Sequence, residues 1–214
     1  MITTLWGLAL AAIVFFGLHL MTVVPGLRAS LRNRLTPRIY RAVFSVLALA
    51  SFVWMILAYN RAPLVELWTL GAWARIIPLV AMPVAFALLA LVYAAPDQAK
   101  IVMRHPMAGA VALWALAHIL PNGDAASLLL FGGFALFVIL DMPLNDARVR
   151  REEPEIWAKR AATTSTLPFV AFAAGRAGKF DVRRVFVRGI LPGIAVFLAI
   201  LFVHEHIFGL PALP

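Results

Sequence analysis

The sequence predicts an all-α, polytopic integral membrane helical bundle of about six membrane segments, including a short central hairpin. Of its 214 residues, 63% are hydrophobic and only 14% are charged, and the mean hydropathy is +0.91. About a quarter of the residues of a typical soluble domain are charged. Several apolar runs also approach the roughly 20 residues that a helix needs to cross a bilayer. No linker divides the sequence, so residues 1–214 are predicted to form one domain.

The first three membrane segments are predicted from continuous apolar runs. The first covers residues 2–24 and is interpreted as a membrane helix, because no cleavage site followed by polar sequence ends it. The second and third cover residues 39–59 and 72–95. Pro78 and Pro83 are expected to kink the third helix, which membrane helices tolerate when neighbours satisfy the freed backbone groups.

The centre of the chain is predicted to form a hairpin that contains an ionisable side chain, His118. Its two arms, residues 107–120 and 125–140, are both shorter than a typical span. We therefore expect two short spanning helices, with a re-entrant hairpin as the alternative. Asp124 in the turn between the arms is expected to cap the helix that begins at Ala125.

The segments after the hairpin alternate between charged and apolar sequence. Residues 141–160 carry charges of both signs and are predicted to be solvated. Residues 161–174 are apolar but short, and are expected to be re-entrant or interfacial. Their hydroxyl run, residues 163–166, is expected either to line a polar cavity or to form a solvated turn. The last membrane helix is predicted over residues 189–208.

The positions of the basic residues predict the orientation. Of the 19 lysines and arginines, all but Arg61 and Arg75 lie within residues 25–41, 96–106 and 141–188. Cytoplasmic loops of membrane proteins are enriched in these residues. The three basic regions are therefore assigned to the cytoplasm, and both termini to the outer side. The net charge of +9 then indicates topology and contact with the lipid bilayer, and no nucleic acid partner is expected.

Two histidines lie inside apolar helices and are the main candidates for a binding site. They are His19 on the first helix and His118 on the first arm of the hairpin. Neutral imidazole is a common axial ligand of haem iron, so the pair suits bis-histidine binding of haem b. The alternative is that each histidine hydrogen-bonds across a helix interface. The chain has no cysteine, which excludes thiolate metal ligands and a cysteine nucleophile.

Other polar side chains are candidates with weaker support. Arg28 and Arg104, at the basic edge, are candidates to hold haem propionates by charge-assisted hydrogen bonds. His105 is a further candidate there, or else the cap of the helix that starts at the following proline. His204 and His206 are expected to be interfacial without a site. Zinc is disfavoured because it takes three or four ligands, and no catalytic residue is assigned.

The sequence resembles the NnrU family in several motifs that occur in order along most of the chain. These motifs are His19 followed by Pro25-Gly26-Leu27-Arg28, then Tyr40-Arg41, Arg104-His105-Pro106, Leu113-Trp114-Ala115, Ala117-His118, Asn122-Gly123-Asp124, Ala126-Ser127-Leu128, Phe131-Gly132-Gly133, Thr164-Ser165 and Leu167-Pro168-Phe169. The resemblance implies a bacterial inner (cytoplasmic) membrane protein linked to nitrite and nitric oxide reductase function, with a respiratory reductase as partner.

Two further resemblances imply activities. The NnrU family is similar to the 15-cis-zeta-carotene isomerase family, which implies haem b bound by His19 and His118. It also implies redox-gated cis–trans isomerisation of a polyene or carotenoid-like lipid. The alternative is a non-enzymatic accessory factor for denitrification. Separately, Arg104-His105-Pro106 followed by Glu152-Glu153 and a proline resembles membrane methyltransferases of the isoprenylcysteine type, which implies S-adenosylmethionine binding.

Overall fold

The computed structural model describes residues 4–24, 26, 30–31 and 34–214, and within these ranges its regular secondary structure is helical. In chain order the helices are α1 (Leu5–Leu20), α2 (Pro37–Asn60), α3 (Ile76–Ala94, after a 3₁₀ turn at Ala72–Arg75), α4 (Pro96–Val102), α5 (Pro106–Ile119), α6 (Ala125–Glu152), α7 (Pro154–Thr163), α8 (Val170–Ala173) and α9 (Val182–Phe208).

Four of these helices are long and apolar enough to cross a membrane, namely α2, α3 with its preceding turn, α6 and α9. The helices α1 and α5 are also apolar but shorter. Large apolar side chains are exposed along the long helices, as expected of surfaces that face lipid. The predicted all-α membrane fold is confirmed, and the count of about six spans stays a prediction.

The second arm of the central hairpin is longer than predicted. The expectation of a short arm ending at residue 140 is wrong, because α6 continues past Pro143 to Glu152 and has 28 residues. The apolar run does end near residue 140, as expected. The helix continues beyond it because the backbone hydrogen bonds of a helix do not require apolar side chains. The first arm, helix α5, has 14 residues and is short as predicted.

Helix ends follow local capping residues. Asp124 accepts a hydrogen bond from the Ser127 backbone N–H at 2.9 Å, which confirms the predicted cap of α6. His105 precedes α5 at the capping position, but its side chain makes no capping hydrogen bond. Helix α9 begins at Val182, seven residues before the prediction, because Asp181 caps it. Helix α1 ends at Leu20, short of the predicted residue 24.

The chain divides into two compact units, and the first comprises Met1–Thr69 and Asn122–Arg148. In this unit α1 packs against α2 and the N-terminal part of α6. The rings of Phe15 and Phe16 lie 5.5 and 5.1 Å from that of Phe134. A Cβ atom added to Gly133 would lie 2.7 Å from the Phe16 ring, so the glycine allows this close contact. The predicted single domain over residues 1–214 stays a prediction.

The second unit comprises Leu70–Pro121 and Val149–Pro214, and α3 is its central helix. Both α5 and α9 pack against α3. Gly189 and Gly193 of α9 are four residues apart, the small-xxx-small spacing that brings membrane helices close together. A Cβ atom added to Gly193 would lie 2.5 Å from the Ala87 backbone nitrogen, and one at Gly189 would lie 2.6 Å from Leu91.

Two of the four candidate spans contain a π-helical turn near their N-termini. One is Leu128–Gly132 in α6, and the other is Phe186–Ile190 in α9. Each follows a single α-helical turn that begins after a capping aspartate, Asp124 or Asp181. Such turns are rare and often occur at functional sites, and no sequence pattern predicted either of them.

Candidate functional site

His19 lies in the last turn of α1, where it is half-buried among aromatic rings. Its ring centroid is 4.3 Å from that of Phe15, 5.4 Å from Phe44 and 5.8 Å from Phe137. Its Nδ1 atom is 2.7 Å from the Phe15 carbonyl oxygen. Since a carbonyl only accepts, Nδ1 carries the proton and the lone pair of a neutral ring is on Nε2.

His118 repeats this arrangement in the last turn of α5, in the second unit. Its Nδ1 atom lies 2.8 Å from the Trp114 carbonyl oxygen, and the two rings are 5.9 Å apart. Trp114 and His118 are four residues apart and therefore lie on one face of α5. The neutral ring again has its proton on Nδ1 and its lone pair on Nε2.

This hydrogen bond has a chemical consequence for both histidines. Metal-bound histidines usually donate their second ring N–H to a backbone carbonyl or a carboxylate, which fixes the tautomer and the ring orientation. His19 and His118 each donate to the carbonyl four residues earlier on their own helix. In both rings this arrangement leaves the lone pair on Nε2, the nitrogen through which histidines of this tautomer bind metal ions.

Arg104, a predicted propionate ligand, joins two loops of the second unit. Its Nε and Nη2 atoms donate to the side-chain and backbone oxygens of Thr164, at 3.0 and 3.1 Å. Its backbone N–H donates to the Ser165 carbonyl at 2.7 Å, and its guanidinium lies 4.9 Å from the centre of the Trp157 ring. Arg104 thus holds together two of the motifs that carry the family resemblance.

The hydroxyl run takes neither predicted form as a whole. Thr164 and Ser165 are buried, whereas Thr163 and Thr166 are exposed. The Ser165 hydroxyl donates to the Leu167 carbonyl and accepts from the Ala171 N–H, so it closes the turn between α7 and α8. The turn ends at Phe169, whose φ of 58° is in the left-handed region that side chains rarely adopt.

Of the four other candidates, the structure describes His105, His204 and His206. Arg28 lies outside the described residues. His105 precedes α5 beside Arg104. The His204 Nδ1 donates to the Leu210 carbonyl at 3.0 Å, and His206 is exposed. Among the residues that the structure describes, no three or more His, Cys, Asp or Glu side chains are grouped to hold a metal ion.

A buried hydrogen-bond chain in the first unit was not predicted. Ser127 is fully buried and donates its hydroxyl proton to Asp124 at 2.6 Å. The Tyr59 hydroxyl lies 3.0 Å from the Ser127 oxygen and donates to it, because the Ser127 proton is already used. Asp124 and Ser127 are close in sequence, but Tyr59 is 68 residues from Ser127, and no local pattern indicates that contact.

The backbone around this chain is also closely packed. Glu66 and Asp124 form an isolated antiparallel β-bridge. The backbone N–H groups of Leu67 and Trp68 both donate to the Gly123 carbonyl, at 2.7 and 3.0 Å. A Cβ atom added to Gly123 would lie 1.8 Å from the Trp68 carbonyl oxygen, so only glycine fits here.

The helices and their apolar surfaces define an integral membrane protein of the all-α class. The family model described as NnrU protein matches residues 7–212, nearly the whole chain, and the protein belongs to the NnrU family. The predicted family is thereby confirmed. The comparisons with curated proteins and with solved structures gave no match.

Proposed function

We propose that this NnrU-family protein binds haem b, and that His19 and His118 would hold its iron. The observation that supports the proposal is the tautomer of both rings, each of which donates Nδ1–H to a backbone carbonyl and keeps the lone pair on Nε2. Neutral imidazole in this form is the usual histidine ligand of haem iron. The aromatic rings around His19 also suit an apolar macrocycle.

The basic residues have a positioning role in this proposal. Arg104 keeps the turn after α7 against the start of α5 through Thr164 and Trp157. Because it lies at the N-terminus of the helix that carries His118, it fixes the position of that helix. Arg104, Arg28 and His105 remain the proposed contacts of the haem propionates, since cationic donors bind carboxylates strongly.

The proposed activity is redox-gated cis–trans isomerisation of a polyene or carotenoid-like lipid. If haem is bound, His19 and His118 would hold it, and the group would supply redox-dependent binding of a substrate double bond. The protein's own residues hold the ligands and exclude water, which the phenylalanines around His19 are well placed to do. A reduction-dependent change in the absorption spectrum of an added polyene would support isomerisation, and a spectrum unchanged by reduction would contradict it.

The haem proposal is tested by haem content in a series of single variants. We expect the purified protein to contain stoichiometric b-type haem in a pyridine haemochrome assay. His19→Ala and His118→Ala should each lose the haem or change its spin state. His206→Ala is the matched control, because His206 is an exposed histidine near the end of α9, and its haem content should not change. A protein without haem after haem supplementation would overturn the proposal.

We also propose a location in the bacterial inner membrane, with both termini on the periplasmic side. The basic residues support this orientation. The supporting observation is that all but two of the 19 lysines and arginines lie in three segments of the chain.

A further inference from the structure

We propose that residues 167–188 of the second unit, named here the juxtamembrane segment, bind the headgroups of anionic phospholipids. The segment covers α8, the loop after it and the start of α9. Since α9 is a candidate span that begins at Val182, the chain continues from this segment directly into the bilayer. The inference goes beyond the proposed function and does not depend on haem.

The juxtamembrane segment is fixed to α4 along one edge. The Gln98 side chain is buried, donates to the Lys179 carbonyl at 3.3 Å and accepts from the Asp181 N–H at 2.9 Å. Asp97 forms a two-point ion pair with Arg184, at 2.8 and 2.9 Å. These bonds determine which side of the segment faces the protein.

The segment also exposes large apolar residues that would be unfavourable in water. Leu167 and Val182 are 67% and 71% exposed. Phe169, Phe172 and Phe186 are each close to half exposed. Removing such side chains from water is favourable by about 25 cal/mol per Å² of apolar surface. The boundary between headgroups and acyl chains provides that burial for a segment that enters the bilayer at its C-terminal end.

The charges of the segment select an anionic leaflet. It contains five cations and one acid, Asp181, which is used as the cap of α9. Three cations are bound within the protein: Arg176 to the carbonyls of residues 161 and 162, Arg184 to Asp97, and Arg188 to the Ala94 carbonyl.

The remaining two cations, Lys179 and Arg183, are exposed. Neither makes a side-chain hydrogen bond or ion pair with the residues that the structure describes. Basic side chains next to a membrane span bind anionic lipid at roughly 1 kcal/mol each, which is about fivefold in affinity. The structure therefore assigns these two side chains to phospholipid phosphates.

The first test compares lipid retention by native mass spectrometry of the detergent-purified full-length protein in an equal mixture of phosphatidylglycerol and phosphatidylcholine. Wild type should retain phosphatidylglycerol preferentially. The variant Lys179→Gln/Arg183→Gln should lose roughly 25-fold of this preference, at about fivefold for each cation. The matched control Arg150→Gln/Lys159→Gln removes two exposed cations of the same unit outside the segment. Equal losses in both variants, or displacement of lipid by soluble glycerol phosphate, would overturn the proposal.

The second test locates the segment directly and uses the absence of native cysteine. A fluorophore on Phe172→Cys, in vesicles that contain phosphatidylglycerol, should be quenched by lipids with a nitroxide near the headgroup. The same fluorophore on Glu155→Cys, an exposed position of α7, should be quenched several-fold less. Equal quenching at the two positions would contradict an inserted juxtamembrane segment.

Discussion

At the residue scale, Gly123 is required by a backbone contact. Its φ is not in the left-handed region, so the requirement comes from space: an added Cβ would lie 1.8 Å from the Trp68 carbonyl oxygen. Gly123→Ala must displace one of the two segments and break the hydrogen bonds between them. We expect a loss of roughly 1–3 kcal/mol in the free energy of unfolding, measured as a lower unfolding midpoint in detergent.

The control for this prediction is Gly17→Ala. Gly17 lies inside α1, and an added Cβ would meet nothing within 4 Å. Replacing a helical glycine by alanine stabilises a helix by up to about 1 kcal/mol. The unfolding midpoint should therefore stay or rise. Equal decreases in the two variants would show that the contact with Trp68 does not limit the size of residue 123.

A second residue-scale prediction concerns Asp97. The hydrogen bond from Gln98, and then the ion pair with Arg184, lower the pKa of the Asp97 carboxyl to about 2. A lowered pKa stabilises the fold above the unfolded value near 4, and this contribution is lost as the pH falls toward 2. Asp97→Asn should lower the free energy of unfolding at pH 7 by no more than about 1 kcal/mol, because the ion pair is exposed. The change is measured as a lower unfolding midpoint. The difference from wild type should shrink between pH 4 and pH 2, and a constant difference would contradict this assignment.

At the element scale, α9 is placed against α3 by two glycines. Gly193→Leu would force the helices apart, because even a Cβ atom would lie 2.5 Å from the Ala87 nitrogen. We expect the free energy of unfolding to fall by about 3 kcal/mol or more, because the clash involves the backbone. The change is measured as a lower unfolding midpoint. Ala195→Leu enlarges an exposed position on the same helix and should be nearly neutral. If the two variants unfold alike, the close approach is not required.

The helices were predictable from sequence where hydropathy and caps agree. The span from Pro37 to Asn60 and the Asp124 cap follow from local pattern alone. The extension of α6 to Glu152 was not predictable from hydropathy. Hydropathy indicates where the chain leaves an apolar environment, but the backbone hydrogen bonds of a helix can continue beyond that point. No sequence pattern predicted the two π-helical turns. The spacing of Gly189 and Gly193 was visible in the sequence, but its partner helix was not.

The candidate site shows the same limit. The helical positions of His19 and His118 were predictable, and the carbonyl four residues earlier is always near a helical side chain. The contact of Arg104 with Thr164 joins residues that are 60 apart in sequence, and that of Tyr59 with Ser127 joins residues 68 apart. Such contacts depend on how the helices pack, which a single sequence does not determine.

At the scale of the whole molecule, the basic residues predict the orientation in the membrane. The chain has no cysteine, so one can be introduced at a single chosen position. Arg61→Cys should react with a membrane-impermeant maleimide in cells whose outer membrane is permeabilised. Lys159→Cys should react only after the inner membrane is opened. The reverse pattern would place the termini in the cytoplasm and contradict the proposed orientation.

The most direct measurement of the central claim is an electron paramagnetic resonance spectrum of the oxidised, detergent-purified protein. Two neutral imidazoles bound through Nε2 predict a low-spin ferric signal in wild type. His118→Ala and His19→Ala should each replace it with a high-spin signal or abolish it, whereas His206→Ala should retain it. The absence of any haem signal in wild type, or a low-spin signal that survives both substitutions, would contradict the assignment of His19 and His118 as haem ligands.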